Sequence, residues 1–339
     1  MGHERTSNAG SRRWLLWSGA VTGGLVLTFT TSSRPGALVL RRLLDWTAPA
    51  RPAIDPPSEV GSILDEQYAE ASDARLDVYY PASTANGVRL PTVVWIHGGA
   101  WISGDKRRVA SYFETLAAAG FTVVAVEYTL APQARYPIAI HQINEALAYV
   151  RDNADRFHAD PGRIVLAGDS AGAQMASQLA TIVTNPEYAS ALGVVPSVRA
   201  EHLRGVALFC GAYDVNAVAR HPRRVPNAAL RMFTHSVLWA YTGSRDRDSE
   251  MLREMSTIDH ASSNFPPTFI SGGNADPLTE VHSQPFADRL AGLGVEVTPL
   301  FFATDHAPEL GHQYQFDIES DDGRAALSAL IAFVERRTT

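Results

Sequence analysis

Arg163-Ile164-Val165-Leu166-Ala167-Gly168-Asp169-Ser170-Ala171-Gly172 joins two patterns at one point. Its first half is a short apolar, β-branched run that reads as a buried parallel strand. From Ala171 to Thr184 the residues are helix formers, with Met175, Leu179, Ile182 and Val183 near helical spacing. The G-x-S-x-G stretch therefore falls on a strand-to-helix turn. Gly168 and Gly172 remove the Cβ atoms that would collide as the two elements converge, and Ser170 is left with its hydroxyl exposed at the start of a helix. A glycine-rich turn with a capping serine would carry the same letters, so the rest of the chain must decide.

A serine hydroxyl needs a base to take its proton and donors to meet the oxyanion it creates. Pro91 to Ile96 reads as a buried strand, and His97-Gly98-Gly99-Ala100-Trp101 follows at its carboxyl end. Backbone that approaches an oxyanion closely must lack side chains. The N–H groups of Gly98 and Gly99, with that of Ala171 after the nucleophile, are the candidate hole. Pro267 to Ser271 reads as another strand, and the loop beyond it carries Asp276, the preferred acid; Asp214, after the strand at Gly205 to Cys210, competes. Val295 to Phe302 reads as the last strand, and both His306 and His312 lie in the loop that follows. The order oxyanion loop, serine, acid, histidine is that of the α/β-hydrolases and differs from chymotrypsin and subtilisin.

Further strand-like runs at Leu76 to Tyr80 and Phe121 to Tyr128 alternate with helical stretches at Arg107 to Ala119, Ile138 to Phe157, Thr279 to Leu290 and Gly323 to Arg336. That alternation predicts an α/β fold, a mostly parallel sheet covered on both faces. Residues 75–339 form the catalytic domain. Within it, 212–258 is longer than a crossover needs and predicts a helical cap; Phe233 and Trp239 from this segment, with Trp101 from the oxyanion loop, are candidate substrate-lining residues.

These fragments resemble the hormone-sensitive-lipase-like (type IV) esterases and neighbouring small carboxylesterases of the α/β-hydrolase superfamily. Val126-Glu127-Tyr128-Thr129-Leu130-Ala131-Pro132, followed by Tyr136-Pro137, is similar to a signature of that family. The resemblance implies an α/β-hydrolase fold, carboxylic ester hydrolysis without a cofactor, and a triad of Ser170, Asp276 and His312. It also favours His312 over His306. Ala100 replaces a frequent third glycine, Thr129 a common arginine, and Gln-Tyr-Gln-Phe follows His312 in place of Gly-Phe, so the substrate preference does not carry over. An amidase or peptidase could use the same triad, and a non-catalytic ligand-binding protein could use the same fold.

The N-terminal part, 1–46, reads differently. Arg5, Arg12 and Arg13 precede Trp14 to Ser33, which is 20 residues without a charge. At 1.5 Å per residue that run just spans a hydrocarbon core of ~30 Å. Ser11-Arg12-Arg13-Trp14-Leu15-Leu16 resembles a twin-arginine signal. The expectation is a membrane-anchored or secreted protein with its catalytic domain outside the cytoplasm; burial of the run as a cap helix is the alternative. Ala37 to Trp46 is amphipathic, suited to a membrane surface or to the cap, and 47–74 reads as a Pro-rich linker and cap-associated segment.

A net charge of −7 argues against nucleic acid. The single cysteine, Cys210, excludes an internal disulfide. Eleven histidines without H-x-x-x-H or paired Cys/His spacing predict no metal.

Overall fold

The computed structural model describes residues 32–47, 59–220 and 228–339. Eight strands form one sheet in the order β1-β2-β4-β3-β5-β6-β7-β8. They are β1 (Val60–Gln67), β2 (Arg75–Pro81), β3 (Leu90–Ile96), β4 (Thr122–Val126), β5 (Ala159–Asp169), β6 (Leu203–Phe209), β7 (Thr268–Gly272) and β8 (Val297–Phe301). β1 and β2 are antiparallel to their neighbours, and β3 to β8 run parallel. This is the expected α/β-hydrolase fold.

The sheet is buried on both faces because its central strands are apolar throughout, and their alternate residues feed two cores. Val94, Ile96, Val124, Ile164 and Leu166 enter one core, beneath α3 (Ile138–Asp152), α4 (Ala171–Thr184) and α10 (Gln284–Gly292). Val93, Trp95, Val123, Val165 and Ala167 enter the other, beneath α2 (Ala110–Ala118) and α11 (Asp321–Thr338). Trp95 fixes the second core. Its ring stacks on Phe209 at 5.7 Å and meets Tyr112 edge-on at 5.5 Å, while its Nε1–H donates to Asp169 Oδ1 at 3.0 Å.

One sequence boundary changes. Val60–Gln67, expected in the linker, is the edge strand β1, in antiparallel register with β2. Its residues are half-exposed or exposed, so the run lacks the apolar signature of a central strand. Residues 48–58 of that linker lie outside the described residues, as does the uncharged run from Trp14 apart from Ser32 and Ser33. No helix among the described residues is long and apolar enough to cross a membrane.

A short helix, α5 (Pro186–Ala191), lies between β5 and β6, and between β6 and β7 lie α6 (Val215–Arg220), α7 (Ala228–Thr242), α8 (Glu250–Met255) and α9 (Thr257–His260). An N-terminal helix, α1 (Arg34–Thr47), packs against α7. It buries Ala37 and turns Val39, Leu43 and Trp46 outward, an i, i+4, i+7 stripe. Arg41 and Asp45 bolt this helix to the loops after β3 and β4. Arg41 donates to the carbonyls of Ile102 at 2.5 Å and Ala131 at 2.8 Å, and Asp45 accepts from Ser103 Oγ and Arg108, each at 2.7 Å.

Candidate active site

Ser170 stands between β5 and α4 with φ 53° and ψ −119°, in the region that side chains other than glycine avoid. Three features hold it there. The Ser170 N–H donates to the Phe209 carbonyl at 2.8 Å. A Cβ on Gly168 would lie 2.5 Å from the Gly172 carbonyl carbon, and one on Gly172 would lie 2.0 Å from the Ile96 carbonyl oxygen. Both positions therefore exclude every larger residue, and the elbow is clamped by backbone on each side. Strain at a residue that the surroundings over-determine is a feature of functional sites.

Asp276 and His312 are joined. The buried Asp276 carboxylate accepts from His312 Nδ1 at 2.9 Å through Oδ2 and from the Leu278 N–H at 2.9 Å through Oδ1. The two loops that bring them together are stitched by Asn274, which accepts from the Leu310 N–H at 2.8 Å and donates to the His306 carbonyl at 2.9 Å. A Cβ on Gly273 would lie 2.0 Å from the Leu310 oxygen, so glycine alone allows that approach. His306 turns away, its Nε2 3.1 Å from Asp322 at the start of α11. Asp214 caps the first turn of α6, accepting from the Ala217 N–H at 3.1 Å. Of the competing residues, Asp276 and His312 are the ones that share a cavity with Ser170.

Ser170, Asp276, His312, Gly98, Gly99, Ala171, Trp101 and Phe233 line one cavity of about 410 Å³. That volume suits a small organic molecule. Leu230, Phe233, Val237 and Leu238 of α7 form an apolar wall, and Leu44 of α1 completes it. Trp239 does not reach the cavity. Six positions beyond Phe233 turn the helix by about 240°, so Trp239 lines a separate cleft, with the Arg245 guanidinium 3.8 Å over its ring. Its assignment as a lining residue is corrected on that ground. Trp101 is buried, stacked on Tyr241 at 5.2 Å and donating to Gln174 at 3.2 Å.

The Ser170 hydroxyl and the His312 ring make no direct hydrogen bond, a looseness ordinary before substrate tightens a site. The Gly99 and Ala171 N–H groups have no backbone acceptor among the described residues. Burial opposes a charge on His312, but the adjoining Cys210 sulfur, where ionised, and the Asp276 carboxylate outweigh it and hold its pKa well above the usual imidazole range. Burial also pushes the Cys210 thiol up. The sulfur is therefore uncharged near neutral pH, and the charge that acts on His312 there is that of Asp276.

Cys210, Asp276 and His312 bring three potential ligand atoms within 4.8 Å of one another. His312 Nδ1 is already engaged by Asp276, so a cation would have to break that hydrogen bond. Gln313, which no sequence pattern singles out, is held in the left-handed region at φ 62°, and its Nε2 donates to Asp169 Oδ2 at 2.5 Å. It ties the histidine loop to the elbow. His282, buried in the cavity wall six residues after Asp276, accepts from the Asp214 N–H at 3.2 Å and was also missed.

The fold and this site define an α/β-hydrolase. The chain belongs to the BD-FAE family, whose model matches residues 76–290. It is similar to the carboxylesterase NlhH of Mycobacterium tuberculosis, 31% identical over 68% of this chain and 69% of the relative. Esterase LipQ of the same organism is 27% identical over 65% of this chain and 50% of its own length. The chain spans about half the length of LipQ and of esterase LipC. Esterase B from Lactobacillus rhamnosis shares the fold with a TM-score of 0.71 at 22% identity, covering 93% of this chain and 96% of its own. The carboxylesterase EstE1 from a metagenomic library does so at 0.68 and 21%, covering 92% and 99%.

Proposed function

We propose that the protein is a serine carboxylesterase acting through Ser170, His312 and Asp276. One observation carries the reading: a buried carboxylate bonded to an imidazole at 2.9 Å, on the same cavity as a serine held at positive φ. Ser170 Oγ attacks the ester carbonyl carbon as His312 Nε2 accepts the hydroxyl proton. Asp276 fixes the tautomer that leaves Nε2 free and stabilises the imidazolium. The oxyanion is met by the N–H groups of Gly98, Gly99 and Ala171. Collapse breaks the bond to the alkoxy group, which leaves as the alcohol with the proton from His312. Water then attacks the acyl-serine by the same route and releases the acid. The apolar wall of Leu230, Phe233 and Val237 favours a hydrocarbon acyl chain.

The test is hydrolysis of p-nitrophenyl esters from acetate to palmitate, with matched amides beside them and Ser170→Ala as control. Ester turnover that disappears with Ser170 supports the reading. Turnover of the amides alone would move it to an amidase, and saturable binding without turnover to a ligand-binding protein.

The arginines before the uncharged run from Trp14 further suggest export or anchoring, with the catalytic domain outside the cytoplasm. Recovery of the full chain in the soluble cytoplasmic fraction would count against this.

A further inference from the structure

His97 opens the loop that carries Gly98 and Gly99 and lines the same cavity, yet both its ring nitrogens are engaged by the protein itself. Both ring nitrogens face acceptors: Nδ1 lies 2.7 Å from the Gly98 carbonyl oxygen, and Nε2 lies 3.2 Å from Glu127 Oε1. A neutral imidazole has one N–H and can satisfy only one of them. The ring is buried, so no water can substitute for the missing donor.

Resting on the esterase reading above, we propose that His97 and Glu127 form a buried ion pair that acts as a positioning device for the oxyanion hole, with His97 held as an imidazolium. The peptide between Gly98 and Gly99 is trans, so its C=O and N–H point in opposite directions. Nδ1–H draws the Gly98 carbonyl toward the ring, and the Gly99 N–H is thereby turned away from it. Gly99 lines the cavity with Ser170. A Cβ on Gly104 would lie 2.4 Å from that same carbonyl oxygen and 2.7 Å from His97 Nδ1, so the loop closes over the contact. Glu127 grips the far end of the loop as well, its Oε2 accepting from the Lys106 N–H at 2.8 Å.

The other groups around the ring do not replace Glu127. Tyr128 stacks on it at 4.4 Å and donates its hydroxyl to the His97 carbonyl at 3.0 Å. The Lys106 ammonium is turned to Asp65 at 2.8 Å and Asp77 at 2.9 Å. Asp169 is the other nearby carboxylate, and its oxygens are occupied by Trp95 and Gln313. Burial disfavours the charge, and Glu127 outweighs it, holding His97 above its usual range. On loss of the proton, the N–H that remains goes to the carboxylate, the stronger acceptor. The Nδ1 lone pair then faces the Gly98 oxygen, and the peptide loses its brace.

The experiment has two arms. In the first, ¹⁵N-histidine NMR of the intact wild-type chain, assigned with His97→Gln, reads the ring directly and needs no substrate. Two protonated nitrogens at pH 7 support the pair, and a neutral ring overturns it whether or not the protein is an esterase. The second follows kcat and KM for p-nitrophenyl butyrate against pH in wild type, Glu127→Gln and Glu127→Asp. Glu127→Gln should lower kcat by about 10²–10³, the worth of one oxyanion donor, with KM little changed and the alkaline limb moved to lower pH. Glu127→Asp, which keeps the charge, should restore the limb. An unmoved limb with wild-type kcat in Glu127→Gln would overturn the proposal. If that variant does not fold, the first arm still decides. Absence of any ester turnover in wild type would instead sink the esterase reading and leave the first arm standing.

Discussion

The floor of the cavity and its roof are built by different means. On the floor, Ser170 and Gly99 are placed by backbone, with carbonyls at distances that exclude a Cβ and positive φ angles, and Asn274 stitches together the loops that carry Asp276 and His312. In the roof, α1 and α7 present Leu44, Leu230, Phe233 and Val237, whose places follow from helical spacing and apolar packing. A floor residue admits almost no replacement, whereas a roof residue can exchange for another of similar volume. The contrast separates chemistry, which tolerates little, from specificity, which can drift.

The largest expected effect breaks the floor chemically. Ser170→Ala should cost on the order of 10⁶ in turnover while leaving the fold intact, as single-turnover assays and circular dichroism would show. Asp276→Asn should cost about 10⁴ in kcat by mis-setting the His312 tautomer. It should also move the pH profile. Activity needs neutral His312, so turnover falls as pH drops through its raised pKa; removing the Asp276 charge lowers that pKa and shifts the acid limb to lower pH. A limb that stays put would show that Asp276 does not set it.

Breaking the floor sterically is next. Gly172→Ala places a methyl 2.0 Å from the Ile96 oxygen, and a cost of about 1–3 kcal/mol or more in unfolding free energy is expected. Chemical denaturation would measure it. The roof should respond more mildly. Phe233→Ala should change relative kcat/KM between short and long acyl esters by roughly tenfold or more, whereas Trp239→Ala should leave the chain-length optimum where it is. A shifted optimum in Trp239→Ala would place that ring in the substrate path. His306→Ala is expected to change turnover by no more than about twofold, the size of a half-kcal/mol surface effect.

Much of the floor was legible in the sequence because its devices are written in residue types. Glycines mark close backbone approach, and the stretch from Ala171 to Thr184 is helical over the expected span. The apolar runs gave seven of the strands to within a few residues, although β5 begins at Ala159, ahead of the expected Arg163, since Asp160 to Gly162 mask its start. β1 was missed because an edge strand need not be apolar. Gln313 and His282 were missed because a polar side chain reaching another loop leaves no periodic trace. Trp239 failed on direction, since aromatic content identifies a cap helix without saying which side faces the substrate.

The bolt between α1 and the loop after β3 has a consequence for anyone exchanging parts among relatives. Leu44 belongs to the cavity wall, but it lies outside 76–290, the span on which the family is recognised, and so does His312. A chimera cut at those limits would inherit a nucleophile from one parent and its base from another. It would also pair the α7 of one parent with the α1 of the other across an apolar seam. Grafts intended to alter acyl preference should therefore carry α1 and α7 as a single cassette, with Ser103 and Arg108 retained to receive Asp45.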